Sequence, residues 1–324
     1  MPEATIAGVD GGASKTRAAV LSAGGKVLAT STVRSASAYH REAEEAAGIV
    51  VASVREAMAA AGIGGPLEAL GAGLAGADDP AIRARLERTL AGAGLAASVL
   101  VDHDAAAALA GGTALEPGIV VIAGTGSIAF GVDAQGRRAR AGGWGPLLDD
   151  EGSGYAIGRA VLRAAMRAFD GRGETTALAE SVRQHFGLGS LAGLKMAVRG
   201  IGIDEVAAIA PLAVDAARGG DAVATRILQR AGRHLAAMVA AVAAHLGWRE
   251  VPFPLVAVGG AFEAGALILH PLAQALEAAG YQAGLQPARF PPEVGAALLA
   301  ARAARLDAAG MIRALTREGV GRDP

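Results

Sequence analysis

A strand–turn–strand–turn–strand pattern occurs twice in this sequence, and this repeat constrains the fold more than any other feature. The first copy reads as three strands joined by glycine turns: Thr5–Val9, Thr16–Ser22 and Lys26–Ser31. The second copy begins roughly 110 residues later and reads as Ile119–Ala123, Ser127–Val132 and Arg137–Ala141. The repeat predicts two related domains, although any chain that mixes helices and strands can also contain several glycine hairpins.

Helical and strand-like segments alternate between and after the two copies. Apolar periodicity predicts helices over Glu42–Ala61, Pro80–Ala91, Gly154–Phe169, Thr176–Phe186, Ile203–Arg218, Asp221–Leu246 and Pro292–Leu306, with another that starts at Ala105. Short apolar runs predict strands over Ala69–Leu74, Ala97–Val101 and Pro254–Val258. This alternation is typical of an α/β fold in which helices cover the faces of the sheets.

The linkers are short, and we place the domain junction near Gly111–Gly112. The prediction is an N-terminal domain of residues 1–112 and a C-terminal domain of residues 113–291 with a helical insertion. The segment after Leu306 reads as a frayed, charged tail. The C-terminal helix, about residues 292–324, is expected to pack back on the N-terminal domain.

Composition excludes several classes of protein. The chain has 324 residues, of which 30 are basic and 31 acidic, so its charge gives no reason to expect a nucleic acid or an anionic membrane as a partner. It has no cysteine, which excludes disulfides, thiolate zinc sites, cysteine-ligated iron–sulfur clusters and a cysteine nucleophile. The N-terminus lacks a signal-peptide pattern, and the longest apolar run is about half of what a membrane span needs. We therefore expect a cytoplasmic protein.

Two glycine-rich turns carry a pattern suited to phosphate. The first reads Asp10-Gly11-Gly12-Ala13-Ser14-Lys15-Thr16, and the second reads Gly124-Thr125-Gly126-Ser127. Such turns let backbone N–H groups face an anion without interference from a Cβ atom, and the hydroxyls and Lys15 add further donors. Asp10 is a hard oxygen ligand suited to Mg²⁺, directly or through water. An ordinary polar hairpin is the alternative for each turn.

Asp104 stands where a predicted strand ends and a predicted helix begins. Ligand sites in open α/β sheets gather at such strand ends, and a carboxylate there can take a proton from a substrate hydroxyl. A helix N-cap explains an aspartate at this position as well. Asp102 competes with Asp104 for the same role.

Two further glycine-rich segments suggest ligand contacts. The loop Gly142–Gly154 contains Trp144 and three consecutive acids ahead of a helix. It reads as a loop that wraps a polar ligand, with Asp150 accepting from hydroxyls, although acids are also common in the first turn of a helix. The strand Pro254–Val258 ends in Gly259-Gly260, which allows a flat ring to lie against the backbone, as an adenine site requires.

The order of these motifs resembles that of the sugar kinase, heat-shock-70 and actin superfamily. More closely, it resembles the N-acetylglucosamine kinase branch of the BadF/BadG/BcrA/BcrD ATPase family, most specifically in GTGSIAFG followed by GGWGPLLDDEGSGYAIGR. The resemblance implies two ribonuclease-H-like, actin-like ATPase domains with mixed sheets and an ATP·Mg²⁺ cleft between the domains. It also implies a homodimeric, ATP-dependent kinase that phosphorylates the 6-hydroxyl of a hexosamine.

The resemblance assigns a role to each motif. Asp10 matches the Mg²⁺-associated aspartate, and Asp104 matches the general base. The positions matched to nucleotide contacts are Asp10, Gly11, Gly12, Ser14, Lys15, Thr16, Gly124, Thr125, Gly126, Ser127, Gly259 and Gly260. The positions matched to sugar contacts are Tyr39, Ala75, Asp104, Gly126, Gly143, Trp144 and Asp150.

The absence of cysteine bears on which branch of the superfamily the chain resembles, and three residue differences bear on its substrate. Dehydratase activators that resemble this chain hold a [4Fe–4S] cluster on cysteines, and repressor-type glucokinases carry a cysteine zinc motif, so the absence of cysteine favours a hexosamine kinase. Three positions depart from the hexosamine kinase pattern: Tyr39 or His40 near a usual Asn, Ala75 for a Ser, and Asp149 for a Gly. N-acetylglucosamine, glucosamine, glucose and N-acetylmuramate therefore stay open as substrates. An ATPase or regulatory module without efficient sugar transfer is the alternative function.

Overall fold

The computed structural model describes residues 4–38 and 41–321. The chain divides into two compact units: unit 1 comprises Met1–Val120 and Gln286–Pro324, and unit 2 comprises Val121–Leu285. The predicted junction at Gly111–Gly112 lies inside a helix of unit 1. The domain bounds drawn from the sequence, 1–112 and 113–291, stay a prediction.

The regular elements are numbered in chain order. The strands are β1 Thr5–Gly11, β2 Lys15–Ser22, β3 Val27–Arg34, β4 Leu67–Leu74, β5 Ala96–Asp102, β6 Gly118–Ala123, β7 Ser127–Val132, β8 Arg138–Gly142, β9 Phe253–Val258 and β10 Ala283–Gln286. The α-helices are α1 Ala43–Ala60, α2 Pro80–Gly92, α3 Asp104–Thr113, α4 Gly154–Phe169, α5 Leu178–His185, α6 Leu194–Ala197, α7 Ile203–Ala207, α8 Pro211–Arg218, α9 Ala222–Leu246, α10 Ala266–Ala278, α11 Pro292–Ala303 and α12 Ala308–Glu318.

Unit 1 is built on a mixed sheet with the strand order β3-β2-β1-β4-β5. β1 pairs antiparallel with β2 and parallel with β4, and β4 pairs parallel with β5. One face of the sheet packs on α1 and α2, and the opposite face packs on α11 and α12. Parallel pairing of β1, β4 and β5 brings the carboxyl ends of these three strands to one edge of the sheet.

α11 lies directly against the backbone of the central strands of unit 1. A Cβ atom added to Gly8 of β1 would overlap the carbonyl oxygen of Glu293, and one added to Gly71 of β4 would overlap the carbonyl oxygen of Ala296. Glycine at these two positions therefore allows the close approach of helix and sheet. Because α11 follows unit 2 in the sequence, the last part of the chain completes the core of unit 1.

Unit 2 contains the second mixed sheet, with the strand order β10-β9-β6-β7-β8. The long helix α9 packs on β7 and β8, and α10 packs on α9. The buried face of α9 carries Leu228, Leu235, Val239 and Val242. This apolar stripe, at helical spacing, holds the sheet and the helical layer together.

The predicted fold class is confirmed, since two mixed sheets flanked by helices are present and both strand–turn–strand–turn–strand copies form β1-β2-β3 and β6-β7-β8. The single helix predicted over Ile203–Arg218 is wrong, because α7 ends at Ala207 and α8 begins at Pro211. Proline has no N–H to donate within a helix, so it favours a new helix start.

The frayed tail predicted after Leu306 is also wrong. It forms α12, whose side chains Met311 and Leu315 are fully buried. Neither α10 nor β10 is predicted from the sequence. No helix within residues 4–38 and 41–321 is both long enough and apolar enough to cross a membrane.

Candidate functional site

In unit 1, two candidate carboxylates gather at the carboxyl edge of the sheet. Asp10 of β1 is in register with Gly73 of β4, which is in register with Asp102 of β5. A Cβ atom on Gly73 would lie 3.5 Å from the Cα atom of Asp104, the first residue of α3. Because Gly73 has no side chain, α3 begins close to the end of β1, and Asp10 and Asp104 become neighbours.

The surroundings of Asp10 disfavour its ionised form. Burial raises the pKa of Asp10 to about 7, and repulsion from the carboxylates of Asp104 and Glu293 adds to this rise. The positive charges of Arg17 and Lys15 lower the same pKa but do not compensate. A carboxylate in this state favours the approach of a cation.

Asp104 is half-buried and has the properties of a proton acceptor. Burial raises the pKa of Asp104 to about 6, opposed by a hydrogen bond from the Ala105 N–H and increased by repulsion from Asp78. A carboxylate whose pKa approaches neutrality is a better general base than an ordinary one, and it is still ionised at pH 7.

Two alternatives to Asp104 as the base follow from the sequence: Asp104 could be the N-cap of α3, or Asp102 could be the base. The residue in the N-cap position of α3 is His103, so the N-cap reading of Asp104 is wrong. Asp102 lies with its carboxylate 3.6 Å from the guanidinium of Arg83 and accepts a hydrogen bond from the His103 N–H. Asp102 is therefore engaged in a structural ion pair, whereas no described residue forms an ion pair with Asp104.

Some of the predicted nucleotide-binding side chains of the first glycine turn, between β1 and β2, are exposed, and one is buried. Ser14 and Lys15 are exposed, whereas Thr16 is fully buried and its hydroxyl has no hydrogen-bond partner among the described residues. The Gly12 N–H donates to the carbonyl of Lys15 at 3.1 Å and closes the turn. Gly11 is tied to the neighbouring loop, because its carbonyl accepts from the Ala75 N–H at 2.9 Å.

The predicted sugar contacts of unit 1 are only partly described. Ala75 lies directly after β4, and its carbonyl accepts a hydrogen bond from the Ala38 N–H at 2.8 Å. This links the segment before α1 to the edge of the sheet that carries Asp10. Tyr39 and His40 lie outside the described residues.

In unit 2, the second glycine turn is docked against the loop that precedes α4. The Ser127 N–H donates to Oδ1 of Asp150 at 3.1 Å, and the Gly154 N–H donates to the carbonyl of Gly124 at 2.8 Å. A Cβ atom on Gly126 would lie 2.8 Å from the same Oδ1 of Asp150, so a larger residue would displace the carboxylate. The turn and Asp150 therefore form one local structure.

Asp150 is buried and held in an unusual backbone conformation. Its φ of 61° lies in the left-handed region, which costs a non-glycine residue about 1–2 kcal/mol. Burial raises the pKa of Asp150, the hydrogen bond from Ser127 opposes this, and repulsion from Asp149 adds to it. A strained, buried acid of this kind is typical of a ligand-contacting position.

The remaining predicted nucleotide positions of unit 2 lie around the same turn. The Thr125 hydroxyl donates to Oδ1 of Asp204 at 3.0 Å. A Cβ atom on Gly259 would lie 2.5 Å from the carbonyl oxygen of Ala123, so β9 ends against the start of the turn. Gly259 and Gly260 are both exposed, which leaves this end of the sheet open to a ligand.

Gly143 and Trp144 follow the end of β8. The Gly143 N–H donates to the carbonyl of Ser127 at 2.9 Å, which places this residue beside the second glycine turn. The Trp144 ring is 57% exposed, and the guanidinium of Arg140 lies 4.4 Å from its centroid. An exposed ring held by a cation offers a flat apolar surface for a ligand.

Glu293 is the one acid near Asp10 that the sequence analysis missed. It lies in the first turn of α11, far from Asp10 in sequence, and its side chain is 7% exposed. The available signal was a single acid at the start of an alanine-rich helix. Arg302 near the end of the same helix is the other charged residue, so the sequence does not show which residue the acid would contact.

Two units that each contain a mixed five-stranded sheet and a glycine turn after its first hairpin strand define the class of actin-like ATPase folds. A family model described as the BadF/BadG/BcrA/BcrD ATPase family matches residues 7–300, and the chain belongs to this family.

Three relatives illustrate the similarity. The N-acetylmuramic acid/N-acetylglucosamine kinase of Clostridium acetobutylicum is 35% identical over 260 residues, which are 79% of this chain and 84% of that protein. The N-acetyl-D-glucosamine kinase of Dictyostelium discoideum is 34% identical over 205 residues, 62% of this chain and 64% of that one. A crystal structure from Chromobacterium violaceum, provisionally described as an N-acetylglucosamine kinase, superposes with a TM-score of 0.76 at 27% identity and covers 92% of this chain and 99% of that one.

Proposed function

We propose that this protein is an ATP-dependent sugar kinase that phosphorylates the 6-hydroxyl of a hexosamine, N-acetylglucosamine or glucosamine. The observation that carries the proposal is Asp104, a half-buried carboxylate with a pKa of about 6 at the edge of the unit 1 sheet, without an ion-pair partner among the described residues. Similarity to sugar kinases over most of the chain supports the substrate class.

The proposed reaction needs one proton transfer and one displacement. Asp104 takes the proton of the sugar 6-hydroxyl while that oxygen forms a bond to the γ-phosphorus of ATP. The bond from the γ-phosphorus to the bridging oxygen breaks, and ADP leaves. The N–H groups of the turns Gly11–Thr16 and Gly124–Ser127 orient the phosphates and stabilise their charge. Gly143, Trp144 and Asp150 hold the sugar.

The residues of unit 1 fit a magnesium ion that accompanies ATP. Asp10 has the oxygen chemistry that Mg²⁺ prefers, and its pKa is raised first by burial and then by repulsion from Asp104 and Glu293. Within the described residues, no three His, Asp or Glu side chains are arranged to hold a metal ion. Mg²⁺ commonly keeps several waters and binds one or two carboxylates plus phosphates, which fits this donor set. When bound, it supplies neutralisation of phosphate charge.

A coupled assay of ADP release tests the function. The panel contains N-acetylglucosamine, glucosamine, glucose, N-acetylmuramate and mannosamine, each with ATP and Mg²⁺. ADP release that requires N-acetylglucosamine or glucosamine supports the proposal. Release that is independent of every sugar would instead establish an ATPase module, and release with another sugar would reassign the substrate.

The base is tested by substitutions at two neighbouring aspartates. Asp104→Asn should lower turnover by about 10²–10⁴-fold, the usual contribution of a positioned general base, with ATP binding retained. Asp102→Asn is the matched control, since Asp102 pairs with Arg83, and its turnover should stay within a few fold of wild type. Turnover that falls in Asp102→Asn but not in Asp104→Asn would transfer the role to Asp102.

We also propose that the protein acts in the cytoplasm as a homodimer, as its resemblance to hexosamine kinases suggests. Light scattering coupled to size-exclusion chromatography measures the mass in solution. A dimer should show twice the 32.0 kDa of one chain. A mass of 32.0 kDa across the working concentration range would contradict the dimer.

A further inference from the structure

Glu293 is a buried acid without a visible reason for its burial. Glu293 is 7% exposed, and its Oε2 atom has no hydrogen-bond partner among the described residues. Within the described part of the chain, its carboxylate forms neither a hydrogen bond nor an ion pair. Burying a carboxylate without a partner is costly, so a residue of this kind is expected to have a partner in another state of the protein.

The position of Glu293 in α11 does not explain its burial. An acid in the first turn of a helix is favourable because it faces the positive end of the helix dipole, but this benefit does not require burial. Glu44 of α1 occupies the same second position of its helix, and its carboxylate is exposed and bonded to Arg85 at 2.6 Å. Glu44 therefore shows the ordinary form of this interaction.

The packing of α11 places Glu293 beside Asp10. The carbonyl oxygen of Glu293 lies against Gly8 of β1, two residues before Asp10. The two carboxylates are close enough for Glu293 to repel Asp10 through space. Arg17 and Lys15 supply the only positive charges among the described groups that act on Asp10, and both side chains are exposed.

We propose that Glu293 is a positioning residue for the divalent cation that accompanies ATP, acting through the cation's bound water. Its unpartnered oxygen accepts a hydrogen bond from a water of the hydration shell that also faces Asp10. This assignment rests on the proposed kinase function. It adds Glu293 of α11 to the residues proposed to hold the cation. Mg²⁺ retains much of its water in nucleotide sites, so a carboxylate can hold it without direct coordination.

The first experiment measures cation affinity in the intact protein. Mn²⁺ replaces Mg²⁺, and electron paramagnetic resonance follows free Mn²⁺ during titration in the presence of saturating ADP. Glu293→Gln should weaken Mn²⁺ binding by about 10-fold, in the range known for residues that orient bound metal through a second layer of contacts. Glu44→Gln, the matched control, should leave the Mn²⁺ affinity unchanged. Equal affinities in wild type and Glu293→Gln would overturn the proposal.

The second experiment separates this role from a purely structural one. Glu293→Gln should raise the melting temperature in EDTA, because it removes a buried carboxyl group that has no partner among the described residues. The same variant should gain less stability from Mg²⁺·ADP than wild type gains. Glu293→Asp, which keeps the charge, should recover part of that gain. An equal shift of melting temperature with and without Mg²⁺·ADP would show that Glu293 is only structural.

The two proposals fail in different ways. If wild type shows no ADP release that depends on sugar but Glu293→Gln still weakens Mn²⁺ binding, the kinase function fails and the cation role remains. If wild type is an active kinase and Glu293→Gln binds Mn²⁺ as wild type does, the cation role fails alone.

Discussion

At the scale of single residues, the burial of Asp104 makes its carboxylate a better proton acceptor and also destabilises the folded protein. Its burial and the negative charge of Asp78 raise its pKa, so the ionised form that could accept a proton is less stable in the folded protein than in the unfolded chain. Asp221 shows the opposite case. Burial alone would raise the pKa of Asp221, but hydrogen bonds from the Ala224 and Ala177 N–H groups and the Thr176 hydroxyl outweigh it and lower the pKa.

We expect the same substitution to change stability in opposite directions at these two positions. The pKa of Asp104 is about 6 in the folded protein against an ordinary 3.8, so the wild type is penalised above pH 6 and not below pH 3.8. At pH 8 and without nucleotide, Asp104→Asn should gain on the order of 1–2 kcal/mol, a few degrees in melting temperature, after allowance for solvent screening. The gain should fade as pH decreases from 6 towards 4.

Asp221→Asn is the control for this measurement, and it should lose stability at pH 8, because Asn replaces a carboxylate that accepts several hydrogen bonds. Thermal unfolding of both variants across this pH range checks both signs. A melting temperature of Asp104→Asn below that of wild type at pH 8 would contradict the argument.

At the scale of elements, several glycines of unit 1 serve packing between helix and sheet. The sequence predicts phosphate contacts for Gly11 and Gly12, whereas Gly8 belongs to no predicted turn. Gly8 lies in the middle of a strand and provides the surface on which α11 packs. The position of α11, and with it that of Glu293, depends on this missing side chain.

Two glycine-to-alanine variants should distinguish the cost of steric overlap from the gain in helix propensity. In Gly8→Ala, the new methyl group overlaps the backbone of α11, and we expect a loss of at least about 1–3 kcal/mol, the usual cost of overpacking. Gly48 lies in α1, and a methyl group added there would have no described atom within 4 Å. We therefore expect Gly48→Ala to raise the free energy of unfolding by about 0.5–1 kcal/mol through helix propensity. Chemical denaturation measures both, and a neutral Gly8→Ala would show that α11 can shift away from β1.

Within the second glycine turn, two further substitutions should have distinct consequences. Gly124→Ala adds a Cβ atom with nothing within 4 Å, so folding should be unaffected while ATP binding weakens if phosphate approaches this backbone. Gly126→Ala places its Cβ atom against Asp150, so melting temperature and sugar binding should both fall. Isothermal titration with ATP and with sugar, beside thermal unfolding, compares the two variants. Unchanged ATP affinity in Gly124→Ala would argue against phosphate contact at this residue.

At the scale of the whole molecule, the chain forms two units with separate cores. Leu298 of α11 is buried in the core of unit 1, and Leu235 of α9 is buried in unit 2. Unit 1 is formed by two separate stretches of the sequence, because its β-sheet precedes unit 2 and α11 and α12 follow it. The core of unit 1 is therefore complete only when α11 and α12 have been made.

Alanine substitutions in the two cores should each destabilise mainly the unit that contains the substituted residue. Leu298→Ala and Leu235→Ala should each cost about 2–5 kcal/mol by leaving a cavity. Hydrogen exchange followed by mass spectrometry should show lost protection in β1 and β4 for Leu298→Ala, and in β7 and β8 for Leu235→Ala. Equal loss of protection throughout the chain in both variants would show that the two units unfold as one.

The sequence predicted the strands of both sheets except β10, because the signals for the others are local. Alternating apolar residues and glycine turns mark β1-β2-β3 and β6-β7-β8, and two neighbouring residues suffice to set a tight turn. The same local signals identified α9, but they did not separate α7 from α8 or detect α12. In α12 the apolar residues Met311 and Leu315 are spaced for one helical face, and that face becomes stable only against the core of unit 1.

Local signals in the sequence were enough to predict the repeated strand–turn–strand–turn–strand pattern, its glycine turns and the candidate acids, since each of these depends on residues close together in the chain. Three features became evident only in the folded structure: His103 is the N-cap of α3, Thr16 is buried, and Glu293 lies close enough to Asp10 to raise its pKa. Burial and charge repulsion depend on distances between residues far apart in sequence, so local signals cannot predict them. Those distances are set by how closely α3 and α11 pack on the glycines of the unit 1 sheet.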